Sequence, residues 1–354
     1  MQLQEQVPLA PLTTFRVGGP ARYFAAAESE EDLILALAFA NARKLPLFIL
    51  GGGSNLLVSD DGFDGLVLKI DSKGVDLENF GSHMILRAAA GEDWDRFVAS
   101  CVEVNLGGVE CLSGIPGSVG GTPVQNVGAY GQETSDVLIS VRAWDRQAEA
   151  IVELSNAECG FAYRTSIFNT TERNRYIVLQ VTFSLQKNGT PNIKYPDVQR
   201  NLEIHGVKSG PPTLAEVRKA VREIRASKGM LIVEGDPDCR SAGSFFKNPI
   251  ISEAQYAVLQ SNSEEKVPRF PAPNGSVKAS AAWLIEHSGF AKGDALGLAA
   301  ISRKHTLALT NTGGARASDI VALARKIRTG VFDRFGIRLT PEPVFVGFSE
   351  EFEL

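Results

Sequence analysis

The sequence predicts an α+β chain of two or three domains, and three observations carry that reading. At 354 residues the chain is longer than one hydrophobic core organises. Helical and strand-like segments are mixed, with a strand-rich middle between helix-bearing ends. Two glycine-rich segments interrupt these elements, where each interior glycine would cost a helix or strand about 0.5–1 kcal/mol.

In chain order, residues 12–24 read as a turn entering a strand, because Gly18, Gly19 and Pro20 break the pattern before an aromatic run. Ser29 opens a helix to about Ala42, with Glu30, Glu31 and Asp32 in its positive first turn. Residues 46–50 form a short buried strand that runs into Gly51, Gly52, Gly53, Ser54, Asn55 and Leu56. Such a junction presents consecutive N–H groups to phosphate. It is not the Rossmann fingerprint, since the sixth position from Gly51 is Leu56, and no Gly-Lys-Ser/Thr follows to make a P-loop. A second strand covers 66–70.

Residues 85–91 read as a strand end and 94–104 as a helix. The helix leads into residues 113–131, with glycine at 114, 117, 120, 121, 128 and 131. This segment suits a backbone cradle for a flat or anionic ligand, and equally an ordinary glycine-rich loop. Strands follow at 137–144, 150–154 and 176–185. Thr213 and Glu216 form a capping-box pattern for a helix to about Lys228. Residues 229–240 are acidic and loop-like. Residues 277–287 read as a helix stopped by Gly289, 295–297 as a turn and 305–311 as a strand. Ser318 is expected to cap a last helix with Ile320, Leu323, Ile327, Val331 and Phe335 on one face, stopped by Gly336. The tail, 337–348, reads as a strand containing two prolines.

Composition limits the function classes. The hydrophobic fraction of 44% and charged fraction of 22% are ordinary for a soluble globular protein. A net charge of −5 argues against nonspecific nucleic-acid binding, so an anionic ligand must be held by local cations. Cys101, Cys111, Cys159 and Cys239 are scattered and fit a reducing cytosol. The four histidines show no metal spacing, so no metal is expected. The first residues lack a signal-peptide pattern, and no apolar run is long enough to span a bilayer. The expectation is a cytoplasmic protein.

Four polar positions could carry chemistry. Arg164 lies among Phe161, Tyr163 and Phe168, where a buried cation needs an anionic partner. Ser244 sits in a Gly-Ser-Phe-Phe run, Glu342 between prolines, and Tyr195 between Lys194 and Pro196. Taken singly, each has a plain reading: a packing arginine, a turn serine, a solvated glutamate and a loop aromatic.

Taken together, these positions and both cradles resemble the MurB family, the UDP-N-acetylenolpyruvoylglucosamine reductases. The resemblance rests on residues 51–57, 113–121, 125–131, 163–168, 243–249 and 341–342, in the family's order over nearly the whole chain. It implies a PCMH/vanillyl-alcohol-oxidase-like FAD-binding fold of two subdomains plus a C-terminal α+β substrate domain. The implied boundaries are 1–70 with the tail 338–354 returning to it, 71–212, and 213–337. Noncovalent FAD is expected on Gly51, Gly52, Gly53, Ser54, Asn55, Leu56, Ser113, Gly114, Ile115, Gly117, Gly120, Gly121, Asn126, Gly128, Ala129 and Val178. NADPH reduces the family's flavin, which then passes hydride to the vinyl carbon of a UDP-sugar enolpyruvyl ether in peptidoglycan precursor synthesis. By this resemblance Ser244 matches the proton donor, and Arg164 and Glu342 the pair that stabilises the enolate.

Tyr195 matches the lid tyrosine of the longer family type, and Tyr130, Lys228, Asn248 and Lys247 match positions on the substrate side. Partners are then the small-molecule substrate and NADPH, with a monomer and no nucleic-acid or membrane partner expected. Three features depart from the family pattern: the longer 229–240 segment, Pro196 in place of the usual glycine, and His287 where glutamine is familiar. Two rivals remain: an oxidase of the related fold with FAD tethered through histidine or cysteine, and a noncatalytic nucleotide-sugar binding protein. Between His83 and His205 there is no histidine, and Cys111 is the only thiol near the cradle.

Overall fold

The computed structural model describes residues 1–207, 210–349 and 354. Residues 350–353 of the expected returning tail lie outside the described residues. The chain divides into two compact units, each assembled from separate stretches.

The first unit takes Met1–Val7, Ala21–Gly53 and Asp64–Ser227. Its smaller sheet has the order Leu3–Pro8, Pro20–Ala27, Phe63–Ile70, Leu47–Leu50, and the last two strands are parallel. The helix Glu30–Arg43 turns Leu33, Ala36, Leu37 and Ala40 inward. Its cap is the expected one, since Ser29 accepts the Asp32 N–H at 3.2 Å.

The larger sheet of this unit is antiparallel, in the order Ala150–Ser155, Leu138–Asp145, Tyr176–Lys187, His83–Ala89, Val75–Phe80. Leu106–Gly107 also pairs with Tyr176–Lys187. One apolar cluster runs from Leu33, Leu66 and Leu68 to Trp94, Phe97 and Phe183. Trp94, on the helix Trp94–Glu103, is fully buried and donates its indole N–H to Leu112 O at 3.1 Å. A buried side chain of this size contributes about 1.5–3 kcal/mol, and this one also holds the chain at the mouth of the second cradle.

The second unit takes Pro8–Pro20, Ser54–Phe63 and Lys228–Leu354. Its core gathers Phe15, Leu57, Phe245, Phe246, Trp283, Ile320 and Ile327. Two small antiparallel sheets flank it, Ile250–Ile251/Val277–Ala279/Arg269–Pro271 and Ala295–Leu296/Ala299–Ile301/Leu309–Asn311. Val344–Val346 runs parallel to Leu56–Val58.

Several elements differ from the sequence reading. The expected helix over 277–287 splits: Val277–Ala279 is a strand, and the helix Ala281–Glu286 begins after the cap Ser280. Strand partners on both sides take the β-branched start that helical periodicity had claimed. The last helix is Ala317–Phe335, so Ser318 lies inside it and is not its cap. Asp60, far away in sequence, accepts the Ala317 N–H at 2.7 Å and the Ser318 N–H at 3.2 Å instead. Within 337–348 only Val344–Val346 is strand, because Pro341 and Pro343 lack the N–H a ladder needs. Tyr195 is not in an open loop: the helix Pro196–Ile204 starts there, with proline at its favoured first position.

Candidate functional site

In the first unit the two glycine segments are one structure. The strand Leu47–Leu50 delivers Gly52 onto Gly117, where an added Cβ would stand 2.5 Å from the Gly117 Cα and carbonyl carbon. Gly120 lies as closely on Ala90, with an added Cβ 2.5 Å from the Ala90 Cβ. Backbone-to-backbone approach is therefore what demands glycine here.

The amides divide into two sets. Gly120 donates to Ala90 O at 2.9 Å, Gly121 to Ser118 O at 3.0 Å and Gly114 to Asp95 Oδ1 at 2.6 Å. The amides of Gly53 and Ser118, both buried, and of Gly117 make no backbone hydrogen bond among the described residues. Buried donors need acceptors, and a diphosphate supplies them, so this cradle fits FAD.

Other residues of the expected flavin set lie in the same unit. Ser113 is buried and donates to Glu110 O at 2.6 Å. Ile115 is half-buried against the main core, and Val178 is buried opposite Ala143. Gly128 and Ala129 form one side of a short hairpin with Gln132 and Glu133. Asn126 organises that hairpin: Nδ2 donates to Glu133 Oε2 at 2.8 Å and Ala162 O at 3.3 Å, while Oδ1 accepts from Ser135 N at 3.0 Å.

Arg164 occupies the tip of a tight turn closed by reciprocal Ala162–Thr165 hydrogen bonds of 3.0 and 3.1 Å. Its φ of +56° is the left-handed region, which costs a non-glycine residue about 1 kcal/mol or more, so its surroundings hold it there. Nη2 donates to Gly128 O at 2.7 Å, and Asn169 Nδ2 donates to Arg164 O at 3.1 Å. Tyr195 meets Tyr130 edge to face at 5.9 Å. Burial raises the Tyr130 phenol above its ordinary value.

Sequence reasoning missed the brace behind this cradle. Asp95 holds the Gly114 N–H and pairs with Arg218 at 2.6 Å and with Arg222. The buried Arg225 Nε donates to Gly114 O at 3.1 Å. The three arginines share one face of the helix Leu214–Ser227, a 4-then-3 spacing that could have revealed them.

In the second unit a different constellation forms. Ser54 O accepts from Thr14 Oγ1 at 3.2 Å, and Leu56 begins the strand beside Val344–Val346. Asn55 Nδ2 donates to Glu342 O at 3.2 Å, and Asn55 O accepts from Val344 N at 2.9 Å. Glu342 N donates in turn to Phe245 O at 2.8 Å, Phe246 bridges Pro341, and Lys247 N reaches Thr340 O at 2.9 Å. Ser244 and Glu342 therefore sit on adjoining backbone segments, fixed by the fully buried Phe245 ring. Asn248 Oδ1 accepts the Ala281 N–H at 2.9 Å and so caps a helix.

Lys228 leads into the 229–240 segment, whose one regular turn is Pro237–Cys239. Asp236 pairs there with Lys304, while Asp238 accepts from Ser302 Oγ at 2.9 Å and Arg303 N at 3.0 Å. His287 stacks on Trp283 at 3.8 Å. Among the described residues no group of three or more side chains could hold a metal ion.

Comparison with known proteins separates the readings. Residues 21–155 match the FAD binding domain family, which places the chain among FAD-binding proteins. Residues 236–346 match the C-terminal domain of UDP-N-acetylenolpyruvoylglucosamine reductase. The proteins of that name from Thermobifida fusca and Streptomyces coelicolor are 48% and 46% identical over 97% and 99% of this chain, covering 98% and 91% of their own lengths. The crystal structure of the reductase from Thermus caldophilus, 27% identical, superposes with a TM-score of 0.68 over 98% of this chain and 99% of that one. The chain belongs to the UDP-N-acetylenolpyruvoylglucosamine reductase (MurB) family.

The tethered-flavin rival loses its one candidate thiol. Cys111 is fully buried, and burial pushes its thiol up to about 12, which leaves no thiolate to attack a flavin.

Proposed function

We propose that this protein reduces the enolpyruvyl group of UDP-N-acetylglucosamine enolpyruvate to UDP-N-acetylmuramate, with NADPH as hydride donor and FAD as carrier. The observation that carries the reading is the backbone pairing that fixes Ser244 beside Glu342. Bound FAD supplies the two electrons, taken from NADPH. The chain's own residues do the rest. The Gly53, Gly117 and Ser118 amides hold the cofactor's diphosphate, Asn126 shapes the flavin-side hairpin, and the remaining cradle residues supply close backbone approach.

Negative charge grows on the substrate carboxylate as the double bond is reduced; Arg164 stabilises it through its positive charge, and Glu342 does so as a hydrogen-bond donor when it carries a proton. Ser244 Oγ–H gives its proton to the carbon bearing that charge, which is basic enough to take it from a hydroxyl. Tyr195, Tyr130, Lys228 and Asn248 bind the UDP-sugar. In this reading the flavin cradle belongs to the first unit, which includes the helix Leu214–Ser227, and Lys228, Ser244 and Asn248 lie in the second. A cytoplasmic monomer without nucleic-acid or membrane partner completes it; the net charge of −5 speaks against a nucleic-acid partner.

An absorption spectrum of the purified protein tests the proposal. FAD bands that bleach with NADPH and return on adding the enolpyruvyl substrate are expected. A protein that takes up no FAD, or whose reduced form ignores that substrate, overturns it.

A further inference from the structure

One half-buried titratable group in the second unit has no part in the reaction as proposed. His305 lies in the turn between Ser302 and Ala308, closed by Ser302 N–Ala308 O at 2.8 Å and Ala308 N–His305 O at 3.1 Å. Ser302 Oγ accepts the Lys304 and His305 N–H groups at 3.0 and 3.3 Å and donates to Asp238. The turn is thus fastened to the 229–240 segment through Asp238.

The imidazole has a defined hydrogen-bonding state. Leu307 N–H points at His305 Nδ1 at 3.1 Å. A backbone N–H can only donate, so Nδ1 carries no proton and the ring proton sits on Nε2. Leu307 O then accepts the Phe245 N–H at 2.7 Å, and Phe245 O accepts the Glu342 N–H at 2.8 Å. One hydrogen-bonded line thus runs from His305 through the Leu307 and Phe245 peptides, passing the residue adjacent to Ser244 and ending on Glu342.

We propose that His305 is a positioning residue for proton delivery: its bare Nδ1 fixes the Leu307 peptide, which fixes Phe245 and so aims Ser244. This rests on the reading of Ser244 as the proton donor. An aliphatic side chain would leave the Leu307 N–H without its acceptor, and a charged imidazolium would present a second donor to it. The surroundings keep the ring neutral. Burial and the Lys228 and Lys292 ammonium groups oppose a proton there and outweigh the Glu286 carboxylate. Glu286, at the end of the helix Ala281–Glu286, is itself engaged by Thr306 Oγ1.

The test exploits two amides that fill the same space. The Asn side-chain oxygen falls near Nδ1 of a histidine, and the Gln oxygen near Nε2. In the full-length FAD-loaded protein, His305→Gln is expected to slow reoxidation of the reduced flavin by the enolpyruvyl substrate by about 10–10²-fold, as misplacement of a reacting group does. Bleaching by NADPH should stay within about twofold, and His305→Asn should recover most of the loss.

In a Ser244→Ala background His305→Gln should add little, because the two act through one group. The inference alone falls if Ser244→Ala slows reoxidation while His305→Gln does not. It also falls if Asn and Gln behave alike, if both half-reactions slow equally, or if the two substitutions are additive. If Ser244→Ala itself leaves reoxidation unchanged, the underlying reading falls and takes this inference with it.

Discussion

At the scale of single residues, the proposal turns on Ser244. It follows Gly243 and precedes two phenylalanines that are 0% and 1% exposed, so its backbone is fixed from the core side. Ser244→Ala removes the hydroxyl and leaves those anchors. Bleaching by NADPH should proceed near the wild-type rate, while reoxidation by substrate should slow by about 10²–10⁴-fold, the size of a lost general acid. Stopped-flow absorbance separates the two steps, and equal slowing of both would make the serine structural. Tyr195→Phe should weaken UDP-sugar binding by about 1.5–3 kcal/mol, one hydrogen bond to a charged group, without changing flavin reduction. An unchanged substrate dissociation constant would refute the lid role. The residue types were legible as motifs, but their settings were not. Nothing local says that Arg164 takes a φ of +56°, or that Tyr195 is the cap residue of a helix and meets Tyr130 edge to face.

At the scale of elements, local signals were read well where the determining contacts are local. The Thr213–Glu216 capping box is present, with Glu216 Oε2 accepting Thr213 N at 2.7 Å, and the helix it opens, Leu214–Ser227, is where the sequence put it. Signals failed where a distant residue decides, as with Asp60 capping the helix Ala317–Phe335 or the strand partners of Val277–Ala279. The helix Leu214–Ser227 also has a use that periodicity does not announce, because its arginines and Asp95 grip both sides of the Gly114 peptide. Asp95→Ala leaves the Gly114 N–H and two guanidinium groups without that carboxylate. Losing such a half-buried acceptor of charge-assisted hydrogen bonds costs about 1–3 kcal/mol. FAD affinity of the apoprotein, measured by fluorescence titration, should fall by roughly 5–150-fold, the same energy expressed as a ratio. A lower melting temperature with unchanged FAD affinity would show that the brace serves the fold and not the cradle.

For the molecule as a whole, the response of stability to acid should carry the mark of His305. The ring is held at about 4, down from 6.5, by burial first and then by Lys228 and Lys292. Between those two values the unfolded chain binds a proton that the folded one refuses. Stability is therefore full above about pH 6.5 and falls as pH drops toward 4. At about 1.4 kcal/mol per pKa unit the loss approaches roughly 3 kcal/mol over that window. Paired carboxylates act lower. Arg175 holds Asp145 at about 2, and Asp95 is also lowered, its arginines and the Gly114 N–H outweighing the burial that opposes ionisation. Their contributions are present above the ordinary aspartate value of 3.8 and vanish as pH falls through the folded values, so they do not mask the histidine window. Urea unfolding at several pH values between 7 and 4.5 should show wild-type stability sloping downward, and His305→Asn should lose most of that slope whatever its absolute stability. Parallel curves for the two proteins would mean that His305 is not the group that titrates, and that its ring does not stay neutral for the reason given.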